Sequence, residues 1–229
     1  MVQESESRRV NKASPSKPGS DFPWLEATGW MLLLGLFFLV GYRLTNSWAA
    51  SHPDAMSLHT TWDDKIPFLA WSIVPYLSLN ILFPCTFFVF EQARLLRLYA
   101  ARIVCSQIVC FGVFALVPSA NVRLQPQAEG AAGVLFKQLR AFEQPCNMFP
   151  SLHAATLLLV WLAWLPVLKN SLLARWAWHG WCLLILLSTL TTWQHDFLDV
   201  LTGLGVGWVT LLVVPFARQR HVDATCRNH

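Results

Sequence analysis

Two short stretches of the chain hold the side chain types that nucleophilic and acid–base chemistry need. In FPSLHAATL, residues 149–157, Ser151 and His153 stand two apart at the start of an apolar run. In STLTTWQHDFLD, residues 188–199, His195 and Asp199 stand four apart. An imidazole that pairs with a carboxylate keeps one tautomer, and the carboxylate stabilises the imidazolium that forms when the imidazole accepts charge. These four side chains are our first candidates for a reactive site.

The spacing of His195 and Asp199 predicts that they share one helical face. If a helix begins near Gln194, the two side chains lie within hydrogen-bond reach. The same spacing is also common where a residue only caps a helix. Here the pair borders an apolar segment, where ionisable groups are costly and usually functional. Asp196 lies about 100° away on such a helix, so we expect it to be a solvated acid at the helix start.

The start of the apolar run at residue 152 is a candidate anion site. Ser151 can cap the helix by accepting a backbone N–H, and the free N–H groups of a helix N-terminus favour phosphate. His153 could protonate a leaving oxygen there. Arg123, in LVPSANVRLQP, has a planar fork that suits two phosphate oxygens. Its alternative role is that of an arginine that snorkels at a membrane interface.

The elements that must position these residues are apolar. Of the 229 residues, 55% are hydrophobic and 13% are charged, with a mean hydropathy of +0.43, whereas a soluble domain has about 25% charged residues. Apolar runs long enough to cross a bilayer recur along the chain. We therefore predict an all-α integral membrane protein, a six-transmembrane helical bundle. The predicted spans are 27–44, 66–90, 100–118, 153–169, 176–194 and 198–217.

The polar parts of the chain predict its domain organisation. Residues 1–22 lack an apolar core and read as a disordered tail rather than a signal peptide, and residues 218–229 read as a second tail. We predict that residues 23–217 form one membrane domain that carries the candidate catalytic residues, and that the connection 119–152 is long enough to cover their site. This connection contains a short amphipathic piece, VLFKQLRAF. The six scattered cysteines predict buried thiols and no metal site or disulfide framework.

The distribution of Lys and Arg predicts the orientation in the membrane. With both termini inside, the inner segments hold twelve Lys and Arg residues and the outer segments hold five. The positive-inside rule therefore favours cytoplasmic termini and places connection 119–152 and both motifs on the outer face. We expect a multi-pass protein of a bacterial-type inner membrane, or its eukaryotic equivalent, with the site on the outer or periplasmic side. The small net charge of +4 gives no indication of a nucleic acid partner.

The two motifs together resemble the type 2 phosphatidic acid phosphatase superfamily. Enzymes of that superfamily have a P-S-G-H type motif followed by S-R-x5-H-x-x-x-D. The spacing from Ser188 to His195 and Asp199 matches the second motif in length. The P-S-L-H form, with Leu152 where glycine is usual, resembles the branch of inositol phosphorylceramide synthases, as does DDKIPFLAWSIVPYLS. The family's K-x6-R-P motif is absent, and Thr189 stands where its second motif has arginine.

The resemblance implies a role for each candidate. His195 would be the nucleophile that takes a phosphoryl group, Asp199 would orient it, and His153 would protonate the departing alkoxide. Phosphate would be held by Ser151 with its neighbouring backbone N–H groups, including that of Leu152. The resemblance also implies substrate-binding roles for Arg123 and Ser188. It implies neither a metal nor another cofactor, since cationic side chains and helix N-termini would supply the electrostatic stabilisation.

Three functions remain open at the level of sequence. The first is a lipid phosphatase that hydrolyses a lipid-linked phosphate at the outer leaflet. The second is headgroup transfer, in which a phospho-alcohol moves to a lipid acceptor. The missing cationic residues leave room for a phosphodiester substrate unless Lys137 or Arg140 replaces them, and they equally suit the third function, a catalytically degenerate lipid-binding protein. A lipid phosphate and the bilayer are the expected partners, and the oligomeric state is left open.

Overall fold

A computed structural model describes residues 23–142 and 144–214, so the predicted tails at 1–22 and 218–229 lie outside the described residues. Within the described ranges the chain is all-helical, with seven α-helices and no strand beyond two isolated β-bridges. The helices are α1 (Trp24–Ala50), α2 (Ile73–Thr86), α3 (Ala93–Leu116), α4 (Gly130–Phe142), α5 (Leu152–Trp164), α6 (Leu172–Thr191) and α7 (Phe197–Val213). Two 3₁₀ turns, Asp63–Lys65 and Ala70–Ser72, precede α2.

Each predicted span coincides with one helix, and α4 forms from the predicted amphipathic piece. The largest difference concerns the predicted span 66–90, of which only Ile73–Thr86 is α-helical. Residues 66–69 are not helical, and we call them the strap. The backbone N–H of Leu69 in the strap donates to the carbonyl of Thr191 at 2.8 Å. Proline explains the shortening: Pro67 cannot donate a backbone hydrogen bond, and Pro84 lies in the last turn of α2.

The helix lengths confirm only part of the predicted membrane topology. Among the described residues, α1 and α3 are long and apolar enough to cross a bilayer by themselves. The apolar segments Ala70–Thr86, Leu152–Trp164 and Phe197–Val213 are shorter. The apolar helices are consistent with a membrane protein, whereas the count of six crossings and the side of each terminus stay predictions.

Helix α5 lies at the centre of the described bundle. It packs against α2, α3, α6 and α7, while α1 packs mainly against α3. Only 11% of the most apolar stretch of α1 is buried, so this helix turns a continuous apolar surface outward. Apolar side chains exposed on this scale suit contact with lipid.

Small residues let α7 approach the start of α5, as the spacing of Gly203 and Gly207 in GLGVG predicts. A methyl group at Gly203 would overlap with the carbonyl oxygen of Ser151, and one at Gly207 would lie 3.0 Å from the carbonyl oxygen of Ala155. The close contact puts the N-terminal ends of α5 and α7 side by side. Both motifs therefore meet at one end of the bundle.

Candidate active site

The two motifs are joined directly through their backbones. The N–H of Ser151 donates to the carbonyl of Asp199 at 2.9 Å, and His195 lies in the turn that leads into α7. This turn, residues 192–196, is fixed because the N–H groups of Gln194 and His195 both donate to the carbonyl of Thr189. The structure thus brings together the four residues that the sequence singles out.

His195 and Asp199 face each other at the start of α7. The Nδ1 atom of His195 lies 3.9 Å from Oδ2 of Asp199, which is too far for a hydrogen bond but close enough for the carboxylate to attract an imidazolium. Both side chains are buried, and neither Nδ1 of His195 nor Oδ1 of Asp199 has a partner among the described residues. Oδ2 of Asp199 accepts the N–H of Asp196 at 2.9 Å. Since this bond is part of the capping box of α7, it anchors the carboxylate beside the imidazole.

His153 is held by an aromatic neighbour that the sequence did not indicate. Its ring stacks on Tyr76 of α2, with the ring centroids 4.3 Å apart and the planes 8° from parallel. Its Nε2 atom is buried and has no hydrogen-bond partner among the described residues. Tyr76 could not be paired with His153 from the sequence, because the two residues lie on different helices far apart along the chain. The stack fixes the plane of the imidazole while its Nε2 stays available.

Both histidines line one cavity of about 520 Å³, which we call the histidine cavity. Its other walls come from α1, α2, α3 and α4, and most of their lining side chains are apolar. Leu152 also lines it. A largely apolar cavity with a few convergent polar groups is the usual form of a small-molecule site.

The N-terminus of α5 provides hydrogen-bond donors beside these histidines. Ser151 is fully buried and caps the helix, with its Oγ atom accepting the N–H of Ala154 at 3.2 Å. The hydroxyl proton can still be donated to a ligand. The N–H groups of Leu152 and His153, the first two residues of α5, have no acceptor within the helix. This helix end therefore has the donors and the dipole direction that an anion requires.

Arg123 lies behind the 192–196 turn rather than in the histidine cavity. Its guanidinium donates to the carbonyl of His195 and pairs with Oδ1 of Asp196, each at 2.8 Å. It also lies 5.3 Å from the centre of the Trp193 ring. Its side chain is only 7% exposed. Through these contacts Arg123 holds the backbone of the 192–196 turn, which carries His195, and we call this its clamp role. The predicted contact of Arg123 with phosphate stays a prediction.

The prediction that Asp196 is solvated is wrong, because its side chain is buried against other charged groups. It is the N-cap of α7. Nδ1 of His59 lies 3.4 Å from Oδ1 of Asp196, and Nε2 of His59 donates to Oδ1 of Asp64 at 2.9 Å. Burial raises the pKa of Asp196, and Arg123 only partly opposes the rise. Burial acts to lower the pKa of His59, but the hydrogen bonds with Asp64 and Asp196 outweigh it, so that this pKa is raised.

Asp63 ties the connection between α1 and α2 to the same turn. Asp63 is fully buried, and its Oδ1 accepts the N–H of Phe197 at 2.7 Å. Its Oδ2 accepts the hydroxyl and N–H of Thr60. Burial alone would raise the pKa of Asp63; these bonds and the nearby charge of Arg123 outweigh it and lower this pKa. The sequence held no signal for this contact, which joins segments far apart along the chain.

In the described part of the chain, one group of side chains has potential metal-ligand atoms close together. Ligand atoms of His59, Asp63 and Asp196 lie within 4.8 Å of one another. However, both oxygens of Asp63 already accept hydrogen bonds, and Arg123 pairs with Asp196. Since a guanidinium supplies the positive charge that a cation would bring, we interpret the group as an ion-pair network.

The remaining sequence candidates lie away from the histidine cavity. Ser188 is buried and its hydroxyl donates to the carbonyl of Ile185 at 2.6 Å, so the structure does not bring it to the histidines. Lys137 and Arg140 line a second cavity together with Arg123. Among the described residues, no lysine or arginine lines the histidine cavity.

A comparison with family models gives one match, to the PAP2 superfamily, over residues 43–213. Neither the curated proteins nor the solved structures contain a significant match to the chain. The matched range includes every described residue of the site, from Asp63 and Tyr76 to Asp199. The family is one of phosphatases and phosphotransferases, and the inositol phosphorylceramide synthase-like branch stays a resemblance. The chain belongs to the PAP2 superfamily.

Proposed function

We propose that this protein is a metal-independent lipid phosphatase that works through a phosphohistidine on His195. The observation that supports this most strongly is that His153 and His195 line one cavity whose other walls are mainly apolar. A lipid phosphate has the same division, with a charged group at the end of an apolar tail. Membership of the PAP2 superfamily supports the reaction class.

In the first step, His195 attacks phosphorus. Since its Nδ1 faces Asp199, Nε2 is the nitrogen left for the substrate. A bond forms between Nε2 and phosphorus, the bond from phosphorus to the lipid oxygen breaks, and His153 gives its proton to that oxygen. The carboxylate of Asp199 stabilises the positive charge that develops on the imidazole. Hydrogen bonds at catalytic pairs commonly tighten when substrate binds, which suits the 3.9 Å separation.

In the second step, water attacks the phosphohistidine and His153 accepts a proton from it. The nitrogen–phosphorus bond breaks, His195 is restored, and phosphate leaves. The N-terminus of α5 would stabilise the equatorial oxygens in both steps, through the Ser151 hydroxyl and the N–H groups of Leu152 and His153.

The test is phosphate release and phosphoprotein trapping with purified protein in detergent and EDTA. The panel would contain phosphorylated lipids, and His195→Asn would be compared with wild type. We expect release to survive EDTA and to fall to background in His195→Asn, together with the loss of an acid-labile phosphoprotein. His179→Asn is the matched control, since His179 bonds to Trp161 in another part of the bundle and should retain both signals.

Headgroup transfer is the second candidate, and the absence of lysine and arginine from the described lining of the histidine cavity favours it. A phosphodiester has one negative charge and needs fewer cations than a monoester. In this reaction an alcohol of a lipid acceptor would replace water in the second step. A new phospholipid without free phosphate, lost in His195→Asn, would identify this activity. If wild type and a folded His195→Asn variant were equally inert on all substrates, the protein would be a degenerate lipid-binding member.

A further inference from the structure

The histidine cavity is lined by a second group of polar side chains, which the proposed reaction does not use. Asn80, Gln107 and Thr156 line it from three different helices. Gln107 is 2% exposed, and its Oε1 has no hydrogen-bond partner among the described residues. A buried amide oxygen without a partner destabilises the fold, because it has lost its hydrogen bonds to water. Because Gln107 lines the histidine cavity, a ligand there that donates a hydrogen bond can satisfy this oxygen.

These residues lie deeper in the bundle than the histidines. Thr156 follows His153 by three residues on α5, a rise of about 4.5 Å, and Asn80 follows Tyr76 by four residues on α2, about 6 Å. Because Tyr76 and His153 stack on each other, Asn80 and Thr156 lie at similar depth. Gln107 precedes Phe111 by one turn on α3, and Phe111 packs in the cluster that contains Leu152 and Ala155.

Below this level the cavity is lined by apolar side chains. Helix α1 runs along its length, and its residues Tyr42 and Met31 lie about 16 Å apart along the helix axis. Tyr42 is at the histidine end, since its carbonyl accepts the amide of Asn147. The deepest lining residues are Met31, Gly35, Phe83 and Pro84. The lining of the histidine cavity therefore changes with depth: the two histidines come first, the uncharged polar side chains follow, and apolar side chains form the deepest part.

We propose that Asn80, Gln107 and Thr156 form a subsite for the hydrogen-bonding backbone of the lipid substrate. This rests on the proposed function, because it takes the phosphate to lie at the histidines. The substrate would have ester, amide or hydroxyl groups a few covalent bonds from its phosphate, as glycerolipids and sphingolipids do. A polyprenyl phosphate has only hydrocarbon at that depth and would leave these polar atoms unsatisfied.

The experiment compares specificity constants for diacylglycerol phosphate, a sphingoid base phosphate and a polyprenyl phosphate. Wild type should favour the first two substrates over the polyprenyl phosphate. Gln107→Leu and Thr156→Val should each reduce that preference by about 2- to 12-fold, the value of one lost hydrogen bond, mainly through KM. Ser106→Ala is the matched control, because Ser106 is a buried neighbour on α3 that does not line the cavity.

Other outcomes separate this proposal from the proposed function. Equal turnover of all three lipids, or a preference for polyprenyl phosphate, with activity still dependent on His195 would overturn the subsite alone. If no lipid is turned over, competition with a fluorescent lipid for binding to His195→Asn replaces the kinetic comparison. The same order of preference, weakened by adding Gln107→Leu, would then support the subsite, and equal binding of all three lipids would refute it.

Discussion

At the scale of single residues, the proposed chemistry depends on where the two histidines direct their nitrogens. Within the described parts of the chain, Nε2 of His153 is buried and has no hydrogen-bond partner, and the parallel ring of Tyr76 holds the plane of the imidazole. Nδ1 of His195 faces Asp199. One histidine is therefore placed to exchange a proton at the leaving oxygen, and the other is placed to attack.

Replacement of His153 by Asn should affect substrates according to their leaving groups. An alkoxide needs a proton as it departs, so turnover of a lipid phosphate should fall by about 10²–10⁴-fold. A nitrophenolate leaves without a proton, so the first step with nitrophenyl phosphate should be nearly unaffected. Burst kinetics that follow nitrophenol release would measure this step. Equal losses with both leaving groups would contradict the role of His153 as an acid.

Arg123→Gln distinguishes a clamp from a phosphate ligand. Removal of the guanidinium takes away the closest cation of the buried Asp196 and leaves only His59, 3.4 Å away, to face it. This loss should destabilise the protein by up to about 3–5 kcal/mol and reduce kcat more than it affects KM. Chemical unfolding in detergent and steady-state kinetics measure the two effects. Because Asp196→Asn removes this buried charge, the double variant should regain part of the stability. A rise in KM without loss of stability would instead support the phosphate contact that the sequence predicts.

These residues show which parts of the site can be predicted from sequence. The spacing of His195 and Asp199 on one helix start indicates their pairing, and the motif Ser151–His153 indicates a helix N-terminus. By contrast, Tyr76, Asp63 and the clamp role of Arg123 depend on contacts between distant segments. Hydropathy and local spacing do not encode such contacts. The sequence also places Ser188 at the site by motif length, whereas its hydroxyl turns back to its own helix.

At the scale of helices, the joint between α5 and α7 sets the relative position of the two motifs. Gly203→Ala would push a methyl group into the carbonyl of Ser151, whereas nothing lies within 4 Å of a methyl group at Gly205. We expect Gly203→Ala to reduce both thermal stability and turnover, because displacement of α7 moves Asp199 away from Ser151. Gly205→Ala should be neutral or stabilising by up to about 1 kcal/mol. Equal melting temperatures and activities for the two variants would refute this account.

The connection between α1 and α2 should hold the 192–196 turn in a pH-dependent manner. The pKa of His59 is raised in the folded state, so its stabilising contribution is complete below its unfolded pKa of about 6.5. This contribution is lost as pH rises through the folded value. The groups that face it are Asp64 and Asp196, with Asp63 and Arg123 beyond them.

The measurement is the difference in melting temperature between wild type and His59→Gln from pH 5.5 to pH 9. Wild type should be the more stable protein at the acidic end, and the difference should vanish at the alkaline end. The lowered pKa of Asp63 has the opposite sign, since its contribution is lost on acidification, and it acts below this range. Asp64→Asn should reduce the acidic advantage of wild type. A difference that is constant with pH would exclude His59 as its source.

At the scale of the whole molecule, hydropathy predicted the helical architecture but not the lengths of all helices. Each apolar run became a helix because in lipid the backbone must satisfy its own hydrogen bonds. The second run became a strap followed by a 14-residue helix, because its prolines remove backbone donors and its start bonds to α6 instead. Whether α2, α5 and α7 cross the bilayer depends on how the bundle sits in lipid, which hydropathy alone does not specify.

The orientation of the bundle decides which leaflet supplies the substrate, and it can be measured with two introduced cysteines. Asp54 is exposed in the connection that carries His59 to the site, and Lys169 is exposed between α5 and α6 at the other end of α5. From twelve Lys and Arg residues inside against five outside, we expect the site to face outward. An impermeant maleimide added to intact cells should therefore label Asp54→Cys, and label Lys169→Cys only after permeabilisation.

Wild type provides the background, since the described native cysteines are free thiols. The reverse pattern would place the site at the cytoplasmic leaflet and make that leaflet the source of the lipid phosphate.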